Sequence, residues 1–138
     1  MEPYRFIDHT GDLGVEVFGD SLGALFQHAG EAFTEIITDA KTIRKRISKR
    51  VFLQADQVED LLVRWLNELV FLFDMDGLLG ASFEIASIDD RHIEATVQGE
   101  GYDENRHPIK TAVKSATYHQ LEVVREGNLW RARVIFDL

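Results

Sequence analysis

DLGVEVFGDSLGALFQHAGEAFTEII, residues Asp12 to Ile37, changes its hydrophobic period partway along. Leu13, Val15 and Val17 alternate with Gly14, Glu16 and Phe18, the two-residue repeat of a strand with one buried face. Gly19-Asp20-Ser21 interrupts that repeat. From Leu22 the apolar residues Leu22, Leu25, Phe26, Ala29, Phe33, Ile36 and Ile37 recur at three and four. This is the stripe of an amphipathic helix, capped by Asp20 or Ser21 and ending near Thr38-Asp39.

Outward from this stretch, Tyr4 to Ile7 form a short apolar start, and Val51 with Leu53 predict a further strand. Asp56 followed by Glu59 has the spacing of a capping box, so a second helix is expected there. Its apolar residues, from Val58 through Trp65 to Phe73, spread broadly around the helix, as in a central packing element that stops by Gly77. The rest reads as strands over Phe83 to Ile88, His92 to Val97, Ala116 to Val124 and Leu129 to Phe136. Turn signals separate them at Asp89-Asp90, Gly99 to Pro108 and Glu126-Gly127-Asn128. The expected architecture is α+β, one domain over residues 1–138, with two amphipathic helices packed on a largely antiparallel sheet. Trp65 and Trp130 lie on apolar stripes and are expected in the core. His119 is expected within a strand.

The 138 residues, 45% of them apolar, suffice for one substantial core. Without cysteine, disulfides, thiolate metal sites and a Cys nucleophile are excluded, which leaves carboxylates and five histidines as ligands. No stretch has the length and apolarity of a membrane helix or a signal peptide, and the expected location is the cytoplasm. A formal net charge of −9 is the wrong sign for coating nucleic acid, and a basic protein partner fits better. Against that balance, Lys41, Arg44, Lys45, Arg46, Lys49 and Arg50 crowd into residues 41–50 with no acid among them. Such a run is either a solvated face or a local contact with RNA or with a nucleotide held by a partner.

Three acidic positions stand out. Asp8-His9-Thr10-Gly11-Asp12 sits between two apolar runs, where His9 and Asp12 could turn toward one ion or simply bond local backbone in a turn. Asp39 follows a helix C-terminus, an end that prefers cations, and is either a solvated loop residue or put to another use. The last five residues, Val134-Ile135-Phe136-Asp137-Leu138, are apolar enough to be held as a strand. Asp137 and the terminal carboxylate of Leu138 would then offer hard oxygen ligands for Ca²⁺, Mg²⁺ or Mn²⁺, with Asp12 and Asp39 completing the shell. Asp74-Met75-Asp76-Gly77 is no EF-hand, because Ile85 stands where the closing Glu would be. Gly99-Glu100-Gly101 lacks the third Gly of a dinucleotide site, and no phosphate-binding loop motif occurs. His28 and His92 show no acidic or hydroxyl neighbourhood suggestive of catalysis.

Taken together, Asp8-His9-Thr10-Gly11-Asp12-Leu13-Gly14, Lys114-Ser115-Ala116-Thr117-Tyr118-His119 and the terminal Val134-Ile135-Phe136-Asp137-Leu138 resemble the archease family in order and separation. Gly11 replaces the family's usual Ala, and Ser115-Ala116 its usual Ala-Ile/Val. The resemblance implies an α+β protein cofactor, not an enzyme, that activates an RtcB-type RNA ligase in tRNA splicing and promotes its guanylylation and multiple turnover. It implies Asp12, Asp39, Asp137 and the Leu138 carboxylate as a divalent-metal site, with His9 and Lys114 as supporting or partner-contacting residues. Transfer RNA and GTP would be met only through the ligase. The competing expectations are a metal-independent chaperone or interaction module and a metal-dependent phosphohydrolase. The last would need a substrate pocket and a positioned base that no residue pattern specifies.

Overall fold

A computed structural model describes residues 2–9 and 11–138, and of His9 the backbone alone. The elements run β1 (Tyr4–His9), β2 (Asp12–Gly19), α1 (Leu22–Ile37), a 3-10 turn (Ala40–Thr42), β3 (Ile47–Gln54), α2 (Val58–Asp76), β4 (Leu78–Ile88), β5 (His92–Gly101), β6 (Ser115–Ala116), β7 (Glu122–Glu126) and β8 (Leu129–Asp137). The α+β class holds, but the strands form two antiparallel sheets, not one. The larger has the order β1-β2-β8-β6 with β7 also on β8, and the smaller has the order β3-β5-β4. Both helices touch both sheets, which places the core between them. Pattern along the chain marks a strand but not its partner, so the division into two sheets was not readable from alternation.

Helix α1 starts as expected, with the Ser21 hydroxyl accepting the Ala24 N–H at 3.0 Å. Helix α2 does not use the capping box. Its N-cap is Gln57, which makes no side-chain cap bond, so Glu59 falls at the second helical position instead of the third. Glu59 and Asp60 still lie in the first turn, where negative charge suits the helix dipole. The other end stops at Gly77, left-handed at φ 67°, whose N–H bonds Leu72 and Phe73 carbonyls.

Trp65 is fully buried and its indole N–H is satisfied by the Phe26 carbonyl at 2.9 Å, tying α2 to α1. Trp130, expected in the core, is only partly buried, and the Arg125 guanidinium lies over its ring at 5.5 Å. The strand expected over Ala116 to Val124 is broken in two. The chain leaves β8 after Ala116, turns at Tyr118 to Leu121 with Gln120 at φ 52°, and returns as β7 farther along the same edge of β8. His119 therefore lies in a turn, not a strand. In the smaller sheet, a Cβ on Gly99 would stand 1.8 Å from the Leu79 carbonyl oxygen, so only glycine lets β4 pass.

The two helix starts separate experimentally. Ser21→Ala removes a real cap and is expected to cost about 1 kcal/mol in urea unfolding, whereas Asp56→Ala, at a position with no capping bond, is expected to stay within about 0.5 kcal/mol.

A carboxylate row at the end of the large sheet

Pairing in the large sheet aligns residues from distant parts of the chain. Asp12 is the Cα partner of His9 on one side and of Asp137 on the other, and Asp137 is the partner of Ser115. The row His9, Asp12, Asp137, Ser115 thus crosses β1, β2, β8 and β6. In β2 the core face carries Val15 and Val17, and in β8 it carries Ala132, Val134 and Phe136, all buried. Asp12 and Asp137 therefore share the opposite face, turned away from the helices. Directly paired side chains on one face have Cβ atoms roughly 4.5–5.5 Å apart, so the two carboxylates are neighbours.

Beneath this row lies an apolar one. A Cβ on Gly14 would stand 3.0 Å from Ile135 Cδ1 and 3.5 Å from Ile7 Cβ, and Ile135 is 3% exposed although it faces outward. Next comes an ion ladder, in which Glu16 bonds Arg5 at 3.0 Å and Glu122 bonds Arg131 at 2.9 Å and Arg133 at 3.0 Å. These arginines are thus spent on glutamates, with Glu16 and Arg133 two pairs, or about 13 Å of strand, from the aspartate row.

The segment that completes the row is stapled to the helices. Asn67 of α2 accepts the Ala116 N–H at 2.7 Å and donates to the Ala116 carbonyl at 3.2 Å, serving that residue as a neighbouring strand would. Lys114 N–H bonds the Asp137 carbonyl at 2.8 Å, and Thr117 bonds the Ile135 carbonyl through both its N–H and its hydroxyl. The Lys114 side chain is exposed. Leu138 follows β8 and is 37% exposed. Asp39 caps the 3-10 turn, its carboxylate accepting the Lys41 N–H at 3.1 Å. That bond accounts for the carboxylate at a helix end that disfavours it. The side chain of His9 lies outside the described residues. Asp12 and Asp137 are brought together; among the described residues, no three carboxylates or imidazoles are grouped so as to hold an ion by themselves. A groove of about 240 Å³, lined by Phe6, Leu13, Glu35, Ile36, Lys110 and Thr111, opens on the helix side of the sheet, the face opposite the two aspartates.

A second polar cluster was not anticipated. Glu100 is 6% exposed and His107 1%. Glu100 accepts from Arg106 at 2.9 Å, from the Arg44 N–H at 2.7 Å and from His107 Nε2 at 3.0 Å. His107 Nδ1 accepts the Asp103 N–H at 2.9 Å, so the proton of the ring resides on Nε2. Arg106, the Arg44 N–H and His107 together hold the Glu100 carboxyl down at about 2. His92, expected without acidic or hydroxyl neighbours, in fact contacts Ser87 at 2.9 Å and Asp89 at 2.9 Å in the exposed β4–β5 turn.

The comparisons with known proteins bear on family and fold. A model of the Archease protein family matches residues 4–138. The chain belongs to the archease family. Protein archease of Methanosarcina barkeri is 33% identical over 139 residues, covering 98% of this chain and 95% of that protein. The archease of Methanothermobacter thermautotrophicus is 33% identical over 142 residues with 100% of both covered. Among solved structures, the solution structure of protein 1598 of Methanobacterium thermoautotrophicum matches with a TM-score of 0.82 at 31% identity over 100% of each chain. The crystal structure of an archease from Thermotoga maritima, described there as a possible chaperone, has a TM-score of 0.66 at 22% identity, covering 96% and 94%, and shares the fold. Like those archeases, the chain is a two-helix α+β domain; no helix among its described residues is long and apolar enough to cross a membrane.

Two outcomes test the supports. The folded carboxyl of Glu100 lies below its ordinary value of 4.5, so its contribution to stability is present above that pH and is lost as pH falls through 4.5 toward about 2. Thermal melting from about pH 7 down to pH 2 should show this loss in the native protein and a flatter profile in Glu100→Gln, whose stability is already lower at pH 7. Asn67→Ala should cost about 1–3 kcal/mol by leaving the Ala116 backbone unpartnered, with raised amide exchange at Ala116 as the measurement.

Proposed function

We propose that this archease-family protein activates an RtcB-type RNA ligase in tRNA splicing, acting as a protein cofactor that promotes guanylylation and repeated turnover without itself performing the chemistry. One observation supports this reading above the rest. The three segments that carry the family resemblance, around Asp12, Lys114 and Asp137, are far apart in sequence yet meet in adjacent strands at one sheet end. A site assembled from just those residues is where a shared function would reside.

The donors fit a hard divalent cation. Two carboxylate side chains sit side by side on paired strands, a pair of hard oxygen donors suited to a divalent cation. Asp12 and Asp137 would hold Ca²⁺, Mg²⁺ or Mn²⁺, with the Leu138 carboxylate beside them and Asp39 as the further acid of the proposed set. Two carboxylates leave coordination positions for ligands from a partner. A bound divalent ion would supply positive charge at the phosphates of a nucleotidyl transfer. The chain's own part is to hold two acids rigidly through the β2–β8 ladder and to present Lys114, exposed beside Asp137, to a phosphate or to an acidic side chain of the ligase. A backbone of paired strands positions donors better than a loop would.

Multiple-turnover RNA ligation by an RtcB-type ligase, with and without this chain at limiting divalent metal, is the direct test. The native chain should raise turnover, and alone it should neither seal RNA nor consume GTP. Asp137→Asn should abolish most of the activation. Without metal, the same substitution should leave the melting temperature near the native value, because it changes no core residue; added divalent metal should stabilise the native chain more than the variant. Full activation by a folded Asp137→Asn protein, together with unaltered metal stabilisation, would sink the proposal.

A further inference from the structure

The basic run is not a loose tail. Lys41, Arg44, Lys45, Arg46, Lys49 and Arg50 are all exposed, and no acid occurs between Asp39 and Asp56. Their backbone is nevertheless held from beneath. The Arg44 N–H bonds buried Glu100 at 2.7 Å, the Arg46 N–H bonds the Gly99 carbonyl at 2.8 Å, and Arg106, itself bound to Glu100, donates to the Thr42 carbonyl at 2.8 Å. Glu100 thus spends its charge mainly on Arg106, His107 and a main-chain N–H. The cationic heads above it are left largely unmatched: Arg46 reaches Glu100 only at 3.8 Å and Arg50 reaches Glu94 at 3.7 Å. Among the described residues, Lys41, Arg44, Lys45 and Lys49 have no carboxylate partner within ion-pair distance.

The run continues into β3, which among the described residues pairs with β5 alone and so forms an open edge of the small sheet. In extended chain, alternate residues repeat at roughly 7 Å and share a side. Arg50 and Phe52 thus lie on the sheet face opposite buried Val51. Phe52 is 58% exposed, with the His92 ring beside it at 6.3 Å. Lysines on an edge strand also serve to block pairing with another chain. That accounts for Lys49 and Arg50, but not for the cations before the strand, for the buried carboxylate that fixes them, or for a bare aromatic on the same element.

We infer that residues 41–52 form a binding strip for single-stranded nucleic acid, with phosphates along Lys41, Arg44, Lys45, Arg46 and Arg50 and a base stacked on Phe52. An acidic peptide would be served by the cations alone; the exposed ring next to them is what a nucleobase uses. The local strip is positive in a chain that is negative overall, which confines the contact to this edge and makes it weak and salt-sensitive. Binding by the isolated chain needs no ligase, so this inference stands or falls separately from the activation reading.

The experiment is fluorescence anisotropy of a labelled oligouridine RNA of about 15 nucleotides, titrated with the full chain from about 50 to about 200 mM salt. Three exposed residues are neutralised together in Arg44→Gln/Lys45→Gln/Arg50→Gln, and Lys45→Glu alone serves as a second variant; circular dichroism and melting check folding. The expected result is binding at low salt that weakens about tenfold or more in the triple variant, with a log–log salt slope shallower by about 2. Phe52→Ala should weaken RNA about fivefold or more, leave the slope unchanged and leave competition by poly-glutamate unchanged. Absence of RNA binding by the native chain at low salt, or affinity indifferent to the folded triple variant and to Lys45→Glu, overturns the inference. So does poly-glutamate competing as well as RNA while Phe52→Ala has no effect on either, since that pattern marks an acidic protein partner.

Discussion

Pairing of β2 with β8 is the constraint on which the larger half of the molecule rests. It joins Asp12 through Gly19 to Asp137 through Trp130, residues from opposite ends of the chain. Because β1 reaches the sheet through β2, and β6 and β7 both lie on the other side of β8, this one ladder carries the whole five-stranded sheet. Its register also sets the chemistry. A slip of β2 by one residue would move Val15 and Val17 off the core and turn Asp12 inward, and a slip of β8 would do the same to Val134, Phe136 and Asp137, so burial of the apolar face and placement of the two acids are a single requirement.

The helices supply the rest of the rigidity. Trp65 fixes α2 to α1 through the Phe26 carbonyl, and Asn67, two residues along, fixes α2 to the strand segment beside Asp137. Gly30 and Gly80 both leave room for the Phe83 ring, each with a would-be Cβ 2.8 Å from it, so α1 and β4 close on that ring from two sides. Apolar packing and a few well-placed polar bonds therefore connect the core directly to the carboxylate row. At the far side, Glu100 performs the corresponding task for the basic segment, and the two features of opposite charge are held by different sheets.

Much of the local structure was legible because burial imposes a period. The two helices and most strands follow from repeats of 3.6 and 2, and Ser21 and Gly77 fulfil the roles their types suggest. What failed did so for nonlocal reasons. The Asp56 box was a matching spacing whose helix starts one residue later than it requires. The strand through Ala116 to Val124 breaks because β8 offers its edge in two places and Asn67, a single polar residue on an apolar helix, substitutes for a ladder. Asp12 and Asp137 stood out as acids beside apolar runs and again as parts of a family pattern, but no periodicity says that they are cross-strand partners. The buried His107 lay inside a stretch that read as turn, and its partner Glu100 inside an unremarkable Gly-Glu-Gly. Sequence carries no mark of a buried ion pair until the fold brings the two residues together.

The central position of β8 bears on how the chain is made. Residues 129–137 are the last of the sheet to be synthesised, yet they lie between β2 on one edge and β6 and β7 on the other. Until they leave the ribosome, the hairpin of β1 and β2 has an open edge. The smaller sheet with α2 has its strands in hand earlier, since β3, β4 and β5 all precede residue 102. During translation the nascent chain therefore carries an unpaired strand edge for most of its length, and closure of the large sheet and assembly of the acidic row occur together, as a single late event.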